Sequence, residues 1–138
     1  RTLWLACPGG AGLSLAVALV DGEDAHASVA LSGSAAALSW RASTCETIPA
    51  TCAPVGWSEQ SIYVPRRMEV LVRHRLVLAA TGAKLTNAQP LDALAKALRQ
   101  ESTDAVRTMS AKRAMRIVAG AIDRLGTPLD SVALLRRP

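Results

Sequence analysis

Strict alternation of apolar and polar or small residues dominates the first third of the chain. Leu3, Leu5 and Cys7 share one face before Pro8-Gly9-Gly10 turns the backbone. Leu13, Leu15, Val17 and Leu19 then share a face, with Ser14, Ala16 and Ala18 on the other. Period two marks a half-buried strand, because successive side chains leave a pleated backbone on opposite sides. Asp21-Gly22 supplies hairpin chemistry, since a type I′ turn needs positive φ at both central positions. Val29 and Leu31 continue the pattern in Ala27–Leu31, Ser32-Gly33-Ser34 turns again, and Leu38 and Trp40 mark a strand over Ala36–Arg41.

Residues 43–60 lose the period and gather Pro, Thr, Ser, Gly and two Cys, which predicts a long loop containing Trp57. The stretch Ile62–Ala80 reads two ways. Pro65 and Gly82 would bracket a helix well. As a strand, Met68, Val70, Val72, His74, Leu76 and Leu78 share a face, and Arg67, Glu69, Arg73 and Arg75 share the other. The period-two reading is cleaner and predicts a long strand.

Beyond residue 89 the spacing becomes helical. Leu91, Leu94, Ala95 and Leu98 form one stripe. A second helix is predicted from a cap at Ser102 or Thr103 to Leu125, where Gly126 and Pro128 end it. Leu129–Leu135 would add a further helical turn or two. The pattern predicts one α+β domain over residues 1–138: an antiparallel meander of four to five strands, then two or three C-terminal helices. The order of elements is similar to that of small single-stranded RNA phage coat proteins, which implies assembly into oligomers.

Composition sharpens the division. With 138 residues, half of them apolar, the chain can bury a core without disulfides or metals. All its aromatic residues (Trp4, Trp40, Trp57 and Tyr63) fall in the first 63 positions. Residues 1–58 carry Arg1 and Arg41 against Asp21, Glu23, Asp24 and Glu46, a net charge of −2, and the remainder carries +7. The acidic, strand-rich part thus spans about 1–64 with its loop at 43–60, and the basic part 65–138. No apolar run reaches the length of a membrane helix, and the chain as given is expected to be soluble.

Candidate chemistry is sparse. His26 and His74 are the only histidines, and no zinc spacing accompanies them. The Gly-rich loop at 8–12 leads into a strand, and no Lys follows until Lys84, so it does not read as a phosphate loop. No cofactor or metal is expected, and a catalytic role is the minority reading. Cys45 and Cys52 flank a loop and could close a disulfide ring in an oxidising compartment; reduced thiols are the preferred reading, because three cysteines are an odd set. Residues 91–116 have the layout of a helix-turn-helix, with Arg107, Lys112, Arg113 and Arg116 available to a phosphate backbone or a protein partner. Met115, Val118, Ile122 and Leu125 form a stripe suited to a partner helix. The sequence therefore predicts a non-catalytic structural or protein-interaction subunit of a larger assembly, with a protein partner or self-association. A nucleic-acid-binding module using the basic helices is the alternative.

Overall fold

A computed structural model describes residues 14–20, 25–41, 44–56, 58, 60, 62–70, 74–81, 89–101, 110–126 and 129–136. Among these residues seven strands and two helices follow in the order β1 (Leu15–Val20), β2 (His26–Ser32), β3 (Ala35–Trp40), β4 (Cys45–Pro49), β5 (Arg66–Glu69), β6 (Arg75–Thr81), α1 (Gln89–Arg99), α2 (Ala111–Leu125) and β7 (Leu129–Arg136). The strands form two antiparallel sheets, β1-β2-β5 and β4-β3-β6-β7, and the helices pack on the second.

The expected single meander is corrected at two sheet-switching points. The first is the Ser32-Gly33-Ser34 turn, which carries the chain out of one sheet and into the other. Gly33 has φ +64°, and a Cβ there would stand 2.7 Å from Ser14 Oγ. That conformation and that approach both require glycine. Around it, Ser34 N donates to Ser14 Oγ at 3.0 Å, Leu15 N donates to Ser32 Oγ at 3.2 Å, and Gly33 N donates to the Cys52 carbonyl at 3.0 Å. The corner's polar groups are thus satisfied locally while the strands diverge.

The second switch breaks the predicted long strand. Ile62–Ala80 contains β5, paired with β2, and β6, the partner of β3 and β7. Between Val70 and His74 the chain passes from one sheet to the other, and Val70 N donates to the Ala25 carbonyl at the point of departure. The alternation keeps its phase across the gap. Met68 and Val70 pack with Leu76 and Leu78 between the two sheets. One continuous pattern therefore serves two strands, because both turn the same side chains towards one shared interior.

Two further expectations fail. Cys45–Pro49, placed in a loop, is an edge strand against β3, in register from Ala36↔Pro49 to Trp40↔Cys45. Its five residues are too few to declare a period, and Pro49 falls at its end, where a missing N–H is tolerated. Leu129–Leu135, expected to be helical, falls in β7, which pairs with β6 and turns Val132 and Leu134 onto the helix-side core. The run Val132–Leu135 is apolar at every position, which hides the alternation.

The helices cover the outer face of this second sheet. Leu94, Ala95 and Leu98 of α1 meet Ala114, Val118 and Ala121 of α2 over Leu38, Trp40, Cys45 and Val77. Asp92 in the first turn of α1 and Lys96 and Arg99 in its last complement the helix dipole. Arg99 also donates from Nε to the Cys45 carbonyl at 2.7 Å, tying α1 to the edge strand. Ser110 caps α2 by accepting from Arg113 N, and Gly126 closes it in the left-handed region at φ 59°. The expected cap at Ser102 or Thr103, the strand Leu3–Cys7, the turns at 8–10 and 21–22, Trp57 and Arg107 lie outside the described residues. No described helix is long and apolar enough to cross a membrane.

Candidate functional site

Two polar constellations stand out. The first lies between the sheets. Ser39 Oγ and His74 Nε2 form a hydrogen bond of 2.7 Å, joining β3 to the residue before β6. A hydroxyl beside an imidazole has the distance of a nucleophile and its base. Its surroundings argue against that use, because His74 is 2% and Ser39 7% exposed. Burial pushes the His74 pKa down, the positive charge of Arg41 pushes it further, and the backbone and carboxylate of Glu69 oppose both. The imidazole is thereby held neutral, and the pair joins neighbouring segments of the second sheet on the face turned towards the first.

Arg75, expected on a basic strand face, is instead fully buried beneath the helices. Its guanidinium carbon lies 5.9 Å from the centroid of the Trp40 ring, within cation–π range. The charge that the alternation assigned to the surface is here part of the helix-side core.

The second constellation is a cleft of about 590 Å³ along α2. Lys112, Arg113, Arg116 and Arg124 contribute four cations, and Glu101, just past the end of α1, contributes a carboxylate. Ile117 and Gly120 lie between them. Three of the four residues singled out for partner contact thus share one cleft. The helical periodicity of α2 could have flagged Arg124, which stands two turns beyond Arg116 and one turn beyond Gly120. Glu101 joins the cleft only through folding, and nothing in the sequence pointed to it.

The remaining sequence candidates are dispersed. Val118 is buried in the helix-side core and Ile122 packs against it, Met115 is half-buried and Leu125 is exposed. The stripe is largely spent on the chain's own interior. Of the helix-turn-helix layout at 91–116, residues 102–109 lie outside the described residues, and the two described helices both pack on the sheet. Cys45 and Cys52 stand as free thiols, the first buried and the second half-buried. Burial pushes the Cys45 thiol up to about 12, with Arg99 pulling it down and Glu46 pushing it up by lesser amounts. Such a thiol is inert at neutral pH.

No family model and no curated protein matches the sequence. Solved structures of the phosphatase domain of the cell fate determinant SpoIIE from Bacillus subtilis do match in fold. One, presoaked with manganese, aligns with 89% of this chain at TM-score 0.50 and 12% identity; another aligns with 89% at 0.49 and 12%. The chain spans only 56% and 54% of those domains. The architecture is therefore one that a phosphatase domain uses. That finding overturns the expectation of a non-catalytic structural or protein-interaction subunit, and with it the nucleic-acid-binding alternative. It also replaces the coat-protein likeness, since the strands divide between two sheets. Among the described residues no three His, Cys, Asp or Glu side chains gather to hold a metal ion.

Proposed function

We propose that this chain is a phosphatase-fold domain that acts on phosphate esters. The observation that supports the reading is the arrangement of two antiparallel sheets with a helical layer on one, aligned over 89% of the chain with the manganese-presoaked phosphatase domain. A fold hosts many activities, so the reading stands or falls on assay and not on likeness. The charge balance agrees with it. A net charge of +5, concentrated in the second part of the chain, raises the local concentration of dianionic esters and speeds their encounter. Phosphoryl transfer is governed by positioning and by stabilisation of equatorial oxygen charge, for which cationic surroundings are suited.

The test is hydrolysis of p-nitrophenyl phosphate by the purified protein, with manganese, with magnesium and with chelator. Release of nitrophenol above the protein-free rate, saturable in substrate, supports the reading. Release no faster than in buffer under every condition sinks it.

A further inference from the structure

We propose that the cleft along α2 is a docking site for an acidic peptide segment of a partner protein. This goes beyond the phosphatase reading and does not depend on it.

The starting point is an electrostatic cost. Lys112 and Arg116 stand at i and i+4 on one helix, with Arg113 and Arg124 beside them on the same cleft. Like charges at that spacing disfavour a helix by roughly 0.2–0.5 kcal/mol per pair. Among the described residues that line the cleft, Glu101 is the one acid against four cations. Gly120 adds to the concentration of charge: a Cβ at that position would stand 3.6 Å from Arg124 Nη1, so the guanidinium lies back along the helix towards Arg116. Lys112, Arg113, Arg116 and Arg124 are all exposed, so their charges are available to a ligand.

The lining selects among anions. A nucleic-acid backbone presents an unbroken line of negative charge, which Glu101 would repel. An acidic peptide presents carboxylates at intervals, with apolar side chains and amide N–H groups between them. Carboxylates can pair with the forked donors of Arg113, Arg116 and Arg124. Ile117 offers apolar contact between the charges, and Glu101 can accept from a peptide N–H. The mixture of four cations, one acid and an aliphatic side chain matches that ligand and not a polyphosphate chain.

The test is fluorescence anisotropy of a labelled short peptide rich in Asp and Glu with one central leucine, against the whole protein at low and physiological salt. A serine-for-acid version of the peptide and a duplex DNA are the comparison probes. Expected is saturable binding of the acidic peptide, weakened by salt and reduced about tenfold or more by Arg113→Glu with Arg116→Glu. Unchanged circular dichroism and melting temperature of the double variant would show that the fold survives. Binding that is unaltered in the double variant overturns the proposal. So does equal binding of the serine-containing peptide, or tighter binding of the duplex that the same substitutions abolish. Hydrolysis of p-nitrophenyl phosphate, measured in parallel on both proteins, reports on the phosphatase reading alone.

Discussion

The two faces of the sheet β4-β3-β6-β7 carry different chemistry on the same strands. Towards the helices, β3 and β6 present Leu38, Trp40, Arg75 and Val77, which meet Leu94, Leu98 and Val118. Towards the other sheet they present Ala37, Ser39, Leu76 and Leu78, which meet Ala27, Val29, Leu31 and Val70. Helices rest on large side chains and adjust their height. Two sheets pack about 10 Å apart, so one side must be small where the other is large. The thick interface carries the indole and a buried cation; the thin one combines alanine with aliphatic side chains and the buried Ser39–His74 hydrogen bond.

The sharpest way to break this contrast is Trp40→Ala. It removes the largest fully buried side chain of the helix-side core and uncovers the Arg75 guanidinium. Loss of about 3–5 kcal/mol is expected, read as a fall in the urea midpoint. A cost below about 1 kcal/mol, the usual size of a minor core change, would mean that the helices do not rest on β3 as described.

The thin interface responds to the opposite change. Ala37 is 0% exposed and packs in the cluster that holds Leu76 and Leu78. Ala37→Leu should cost about 1–3 kcal/mol by overpacking, because two sheets cannot separate locally as a helix can tilt. Urea unfolding of both variants side by side tests the comparison directly. A neutral Ala37→Leu would show spare room between the sheets.

Much of this division was legible in the chain, and the missing part has a definite cause. Period two correctly marked β1, β2, β3 and the strand character of 66–80, and period 3.6 marked both helices. Those signals are local. Which sheet a strand joins depends on its partners, and β2 and β3 read as neighbours until Gly33 is seen to redirect the chain. The short edge strand Cys45–Pro49 and the uniformly apolar Val132–Leu135 lacked the alternation that reveals a strand. The cationic cleft was half legible, since Lys112, Arg113 and Arg116 follow one another along one helix. Glu101 reaches it from another part of the fold, as His74 reaches Ser39 across 35 positions, and no spacing rule announces such pairs.

The buried Ser39–His74 hydrogen bond gives the thin interface a pH dependence in the acid range. His74 is held neutral, with its folded pKa below the ordinary 6.5. Between the folded and unfolded pKa values the unfolded chain binds more protons. Stability from this group is therefore full above pH 6.5 and is lost as the pH falls from there through the folded pKa. His74→Gln should flatten that part of the profile. Ser39→Ala should cost about 1–3 kcal/mol at neutral pH, because the buried imidazole loses its partner. Thermal melts from about pH 8 to about pH 5, which bracket the ordinary histidine range, check both. An unchanged slope in His74→Gln would remove His74 from the account.

The smallest effect is expected on the outer side of the thin interface, where the sequence pattern is most misleading. Leu15, Val17 and Leu19 of β1 look like the buried face of an amphipathic strand, yet they are 45%, 47% and 73% exposed. Ala16 and Ala18 face inwards instead and pack against Ala27, Val29 and Leu31. The close approach of the sheets explains the inversion, because methyl groups fit where isobutyl groups would force the layers apart. Leu19→Lys should therefore change stability by no more than about 0.5 kcal/mol, as surface substitutions do. Ala18→Leu, on the neighbouring inward position, should cost more through overpacking. Equilibrium urea unfolding of the two variants decides between the faces: a large loss in Leu19→Lys and none in Ala18→Leu would reverse the strand and, with it, the assignment of small residues to the space between the sheets.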